Sequence, residues 1–221
     1  ATDARWLVPH FEKMLYDNAL LAVAYLEGYQ ISGRRDFLAV AVETLDYVAR
    51  EMTDAAGGFY SATDADSAGP AGVDEEGRFF TWTPAEVREV VARDDVDLVL
   101  QAYGISEAGN FENGRSVVHA ASGLDVVARK LGIPLDAATR RLEAARVALY
   151  RARAARPAPA RDDKIVAAWN GLMISAFARG ALVVGDADYT ERARAAAEFV
   201  VSRMIGADGR EPSPAAGRPS R

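Results

Sequence analysis

The chain has 221 residues, half of them apolar, with 26 basic against 32 acidic side chains and a formal net charge of −6. That length suits one large domain or two small ones, and the acidic excess speaks against a nucleic-acid backbone as partner. There is no cysteine, which excludes disulfides, thiolate catalysis and cysteine-bound zinc for these residues.

An internal repeat organises the chain. Shifting the sequence by 152 positions aligns residues 18–57 with 170–209 without a gap, and 11 of the 40 pairs are identical. Composition alone would give about three or four. The matches include Asn18 with Asn170, Gly28 with Gly180, Gly33 with Gly185, Asp36 with Asp188 and Met52 with Met204. Each copy reads as a helical hairpin, one over residues 10–57 and one over 162–209. The first helices are expected at about 10–31 and 164–184, each stopped by a glycine suited to positive φ. The second helices are expected at about 36–52 and 188–204, each opened by an aspartate suited to an N-cap. Residues 165–184 are apolar around most of the circumference and predict a buried inner helix, interrupted by Asn170, Ser175 and Arg179, rather than a membrane span. Residues 191–203 are amphipathic and predict an outer helix.

Between the copies, residues 57–64 and 77–82 are β-prone, and the polar stretch 66–76 between them suggests a β-hairpin over about 58–82. Thr83, Pro84 and Glu86 have the spacing of a capping box that opens a helix. Further helices are expected at about 95–103, 123–131 and 136–153, with the Arg-rich stretch 140–161 read as a solvated face. Residues 1–205 are expected to form one domain, followed by an irregular tail, 206–221, that reads as truncated. The chain opens at Ala1 without an initiator methionine and both ends read as cut, which hides any targeting signal; a cytoplasmic location is an expectation by default alone.

Stacked hairpins of this kind build either an α-solenoid or a closed α/α toroid, whose pocket lies where the inner helices begin. Candidate catalytic groups there are His10, whose imidazole could act as general base or acid, and its neighbour Glu12. Asp162 and Asp163 stand at the start of the second inner helix, where one carboxylate suffices for a cap and the other is free for acid/base work or sugar hydroxyls. Glu112 stands in a glycine-bounded loop. Tyr60, Trp82 and Trp169 are aromatic faces for a sugar ring or for the core. Asp64, Asp66 and Asn170 are candidate polar contacts. The spacing of Asp64 and Asp66 lacks the rest of a calcium loop. No P-loop, dinucleotide fingerprint, nucleophile elbow or zinc-protease motif occurs, so no cofactor and no metal are expected.

Several blocks together resemble one known family. They are His10-Phe-Glu-Lys-Met-Leu-Tyr-Asp-Asn-Ala19, Gly58-Phe-Tyr-Ser-Ala-Thr-Asp-Ala-Asp-Ser67, Phe79-Phe-Thr-Trp82, Gly109-Asn-Phe-Glu112 and Asp162-Asp-Lys-Ile-Val-Ala-Ala-Trp-Asn-Gly-Leu-Met173. In this order they resemble the thioredoxin-domain-containing spermatogenesis-associated protein family. The resemblance implies a mainly α fold, an incomplete (α/α)6 toroid of the six-hairpin glycosidase-like type with a small β-hairpin insertion. It also implies a thioredoxin-like domain elsewhere in the intact protein. The resemblance implies a carbohydrate-active domain, similar to sugar epimerases and isomerases or to glycosidases, for which a small sugar is the expected substrate. The charge balance and the interrupted apolar helix lead to the expectation of neither nucleic acid nor membrane as partner. The competing expectation is a non-catalytic scaffold or partner-binding module attached to the redox domain.

Overall fold

The computed structural model describes residues 1–69 and 72–205. In chain order the elements are β1 (Lys13–Met14), α1 (Leu15–Ser32), α2 (Arg35–Glu51), β2 (Ala62–Thr63), β3 (Asp66–Ala68), β4 (Asp74–Glu76), α3 (Pro84–Val90), α4 (Val96–Ala102), α5 (Leu124–Leu131), α6 (Leu135–Ala154), β5 (Arg161–Asp162), α7 (Ala167–Val184) and α8 (Ala187–Arg203). The fold is mainly α, as expected. The tail expected at 206–221, and with it the end of the second repeat, lies outside the described residues. The chain divides into two compact units, a finer division than the one domain read from sequence. One joins Ala1–Glu12 to Asp64–Ala160, and the other joins Lys13–Thr63 to Arg161–Arg221.

The second unit holds both hairpins of the repeat. Within it α1 packs against α2 and α7, and α7 against α8. Leu15, Ala19, Ala22 and Leu26 form the buried stripe of α1, at the spacing that places residues on one helix face. The stripe of α7 is Asn170, Met173, Ala176, Phe177 and Gly180. Phe177 stacks on Phe59 with centroids 5.3 Å apart and meets the edge of Tyr189 at 5.5 Å. Each such buried ring stabilises the unit by about 1.5–3 kcal/mol. Gly180 allows this close approach: a Cβ would stand 2.6 Å from Leu45 Cδ1 and 3.2 Å from the Tyr189 ring, so those side chains would have to shift.

The two copies do not bury the same face. The α1 counterparts of Met173 and Ala176 are Leu21 and Ala24, both exposed, whereas α1 buries Ala19 and Leu26, whose α7 counterparts Gly171 and Ala178 are exposed. The contact between the hairpins is therefore head-to-tail.

Helix starts differ from expectation. The chain at residues 10–12 is not helical, and β1 precedes α1, so the first inner helix begins at Leu15 rather than near His10. Likewise α7 begins at Ala167, after β5. The reason is sheet pairing: β2 lies between β1 and β5, antiparallel to both, with Lys13 opposite Thr63 and Ala62 opposite Asp162. Asp36 and Asp188 sit inside the first turns, not at the caps. Arg34 is the N-cap of α2 without a side-chain bond, and Asp186 caps α8 by accepting from the Asp188 amide at 2.8 Å. Gly33 and Gly185 end the inner helices at φ 68° and 79°, as expected.

By length and composition α7 is the one helix among the described residues able to cross a bilayer, yet its stripe is packed in this core.

In the first unit α4, α5 and α6 pack together and α3 joins α4 and α6. The Thr83 capping box of α3 forms as expected, with Glu86 returning to the Thr83 amide at 2.9 Å. The β-hairpin does not form from the two apolar runs. It is shorter and lies in the stretch read as its tip, β3 against β4 with Asp66 opposite Glu76. The run 77–82 is instead a tight turn opened by Gly77 at φ 66°, with Phe80 N–H and Thr81 N–H both donating to the Gly77 carbonyl at 3.0 Å. Only Trp82 keeps a strand-like bridge, to Ser116.

Candidate functional site

The first unit carries a cleft of about 310 Å³ lined by Phe80, Trp82, Tyr103, Val118, Arg146, Leu149, Tyr150 and Arg153. Its floor comes from α6, where positions 146, 149, 150 and 153 repeat at three- and four-residue spacing and so share a face. Tyr103 enters from the C-cap of α4, and burial pushes its phenol above the usual range. Four aromatic side chains and two guanidinium groups thus meet in one recess. Arg153 spans three rings, its guanidinium 5.3 Å from the Tyr150 centroid, 5.4 Å from Phe79 and 5.8 Å from Phe80. Trp82, singled out from sequence, is only 4% exposed. Its ring lies under the Arg156 guanidinium at 3.9 Å.

His10 and Glu12 belong to the same unit. Both are exposed, and His10 Nδ1 stands 3.8 Å from a Glu12 carboxylate oxygen. Phe11 between them is buried, stacking on Phe80 at 5.9 Å and meeting the edge of Phe111 at 5.3 Å. The alternation presents His10 and Glu12 to solvent while Phe11 ties their backbone to the cleft-lining Phe80. Glu112 is exposed at a 3-10 turn, Glu112–Gly114. Asp64 caps its own turn, accepting from the Ala65 amide at 2.7 Å. Asp66 is exposed on β3. Among the described residues no group of three or more His, Asp or Glu side chains is placed to hold a metal.

In the second unit the remaining candidates take structural contacts. Asp162 does not cap α7, whose N-cap is Val166. It accepts from the Lys164 amide at 3.3 Å and pairs with Lys164 Nζ at 3.0 Å, and the Lys164 bond holds its carboxyl below the usual range. Asp163 pairs with Arg161 at 2.6 Å. Tyr60 donates to Asp54 at 2.7 Å while its ring lies under Arg161 at 4.0 Å. Trp169 meets Tyr16 edge-on at 4.9 Å. Asn170 is fully buried. Its Oδ1 accepts from Phe59 N–H at 2.8 Å, and its Nδ2 donates to the Phe59 and Val166 carbonyls at 3.0 and 3.1 Å. Those bonds correct its expected role: the amide fastens the segment after α2 and has no donor left for a ligand.

Sequence reasoning missed a buried charge network in the first unit. Arg115, 4% exposed, donates to both oxygens of Glu86 at 3.0 and 2.8 Å and to the Thr81 carbonyl at 2.5 Å. Arg156 donates to the Thr81 carbonyl at 2.8 Å and the Phe79 carbonyl at 3.0 Å. Burial pulls its pKa down to about 10. The expected solvated Arg face therefore holds only in part. The signal for the exception was the proline-flanked setting of Arg156 beyond the helical period.

No family model matches the chain. Spermatogenesis-associated protein 20 of Homo sapiens is 37% identical over 224 residues, covering 93% of this chain and 28% of that protein. The Rattus norvegicus protein of the same name is also 37% identical, with the same coverage. The chain thus spans little more than a quarter of the length of these relatives. A crystal structure of D-mannose isomerase aligns with 91% of this chain and 46% of its own at 13% identity, with a TM-score of 0.28, too weak a superposition to carry an argument. By likeness in sequence over nearly its whole length, the chain is a homologue of a segment of spermatogenesis-associated protein 20.

Proposed function

We propose that this chain is part of a carbohydrate-active module whose sugar-binding recess is the aromatic cleft of the first unit. The observation that carries the proposal is the convergence of Phe80, Trp82, Tyr103 and Tyr150 with Arg146 and Arg153 in one recess of about 310 Å³. Sugar rings bury their C–H faces on aromatic rings, and guanidinium and phenol groups serve their hydroxyls. The volume lies at the lower bound for small-molecule sites, which suits a monosaccharide.

The chemistry that fits best is proton transfer beside a sugar carbonyl. His10 takes the proton from the carbon beside the carbonyl, the electron pair passes to the carbonyl oxygen as an enolate, and the imidazolium, steadied by the Glu12 carboxylate, returns a proton to carbon. Glycoside hydrolysis is the weaker branch, because it needs two free carboxylates flanking the bond, and Asp162 and Asp163 are paired with Lys164 and Arg161. The intact protein is proposed to place this module beside a thioredoxin-like domain in the cytoplasm, with hairpins of the repeat type forming part of an α/α toroid.

Proton NMR of the full-length protein in D2O with a panel of reducing hexoses tests the chemistry. Deuterium appearing at the carbon beside the carbonyl, and absent with His10→Ala, is the expected result. No exchange for any sugar would overturn it. One observation favours a second reading, a module that binds without turnover: the committed contacts of Asp162, Asp163 and Asn170 leave the second unit without a free acid or base among these candidates.

A further inference from the structure

A second cavity in the first unit, about 220 Å³, is lined by Ser67, Gly69, Arg78, Phe79, Glu86 and Arg156, among others. Three features of its wall point the same way. Glu86 is already spoken for: both oxygens accept from Arg115, and one also accepts the Thr83 amide. The carboxylate pairs of the cavity's own arginines are long, Arg156 Nη1 being given instead to the Arg78, Phe79 and Thr81 carbonyls. Arg78 reaches Glu75 at 3.4 Å and Arg156 reaches Glu86 at 3.4 Å, against about 2.7–2.9 Å for a well-formed guanidinium–carboxylate bond. Finally, the Ser67 hydroxyl is buried, 4% exposed for the residue, and has no hydrogen-bond partner.

We propose that this cavity is a binding site for a small oxyanion-bearing metabolite, its phosphate or carboxylate group held between Arg78 and Arg156 with the Ser67 hydroxyl as a further donor. Guanidinium groups pair two-pronged with such oxyanions, and a low-dielectric wall strengthens the pairing. The field around Arg156 agrees, since Arg115, Arg78 and Arg153 act on it against one opposing carboxylate, Glu86. A water takes about 30 Å³, so the volume exceeds a bare oxyanion and leaves room for a small organic body beside Phe79. This site is independent of the aromatic cleft and of any reaction there.

Isothermal titration calorimetry of the full-length protein tests it with three probes: inorganic phosphate, glucose 6-phosphate and citrate. Saturable binding of at least one probe, with Kd below about 1 mM, is expected. Arg78→Gln should weaken it at least about tenfold and Ser67→Ala severalfold, while Arg88→Gln, at an exposed position of α3, should leave it unchanged. Thermal melts establish that each variant is folded. Preference for glucose 6-phosphate identifies a phosphomonoester as the natural group, and preference for citrate a carboxylate. No saturable binding of any probe, or binding equal in the Arg78→Gln and Ser67→Ala variants, would overturn the proposal.

Discussion

At the scale of single residues, Asn170 shows how a polar side chain read from sequence as a ligand contact can be a fastener. Its amide links α7 to the backbone of Phe59, 111 positions away, by accepting from its N–H and donating to its carbonyl. Replacement by Ala leaves a buried N–H and C=O unpaired, at a cost of about 2–4 kcal/mol. Urea unfolding monitored by circular dichroism should show that loss. An unchanged midpoint would mean that water replaces the amide. Glu86 makes the matching electrostatic statement. Burial works to raise its pKa, but the Arg115 hydrogen bonds, the Thr83 amide and the charges of Arg115 and Arg156 outweigh that and hold it below its ordinary 4.5. A carboxyl depressed in the folded state stabilises above its unfolded pKa and loses that stabilisation as pH falls through the folded value. Stability should therefore drop as pH falls below that ordinary 4.5, and less steeply in Glu86→Gln.

At the scale of elements, the glycine stops and the capping box were legible because each rests on a local rule of backbone geometry. Gly33, Gly185 and Thr83 needed no knowledge of the rest of the fold. The starts of α1 and α7 were not legible, because β1 and β5 exist only through pairing with β2, a contact between residues far apart in sequence. The β-hairpin was misplaced for the same reason: Phe79 and Phe80 are apolar because they pack in a turn, with rings 5.1 Å apart, not because they alternate along a strand. Among candidate site residues, Trp82 could be found by residue type. Tyr103, Tyr150, Arg146 and Arg153 could not, since they come together only when α4 meets α6. Gly180 offers a test of the hairpin contact. Gly180→Leu drives a side chain into Leu45 and Tyr189 and should destabilise by about 1–3 kcal/mol or more, read as a lowered Tm.

For the molecule as a whole, the head-to-tail repeat leaves two unlike apolar faces open. Leu20 and Leu21 on α1, with Leu182 and Val184 on α7, are exposed by 40% or more. Exposed apolar side chains of this kind favour association. Residues 1–221 alone should sediment as concentration-dependent oligomers, and Leu21→Glu should shift them toward monomer. A monomer at all concentrations would contradict the exposure of these faces. The carbohydrate reading rests elsewhere, on the cleft between α4 and α6, and the most direct test is calorimetric titration of the full-length protein with simple hexoses. The account predicts saturable binding in the millimolar range, weakened at least about tenfold by Tyr150→Ala, with the melt otherwise preserved. Affinity untouched by Tyr150→Ala, or no binding of any hexose, would contradict it.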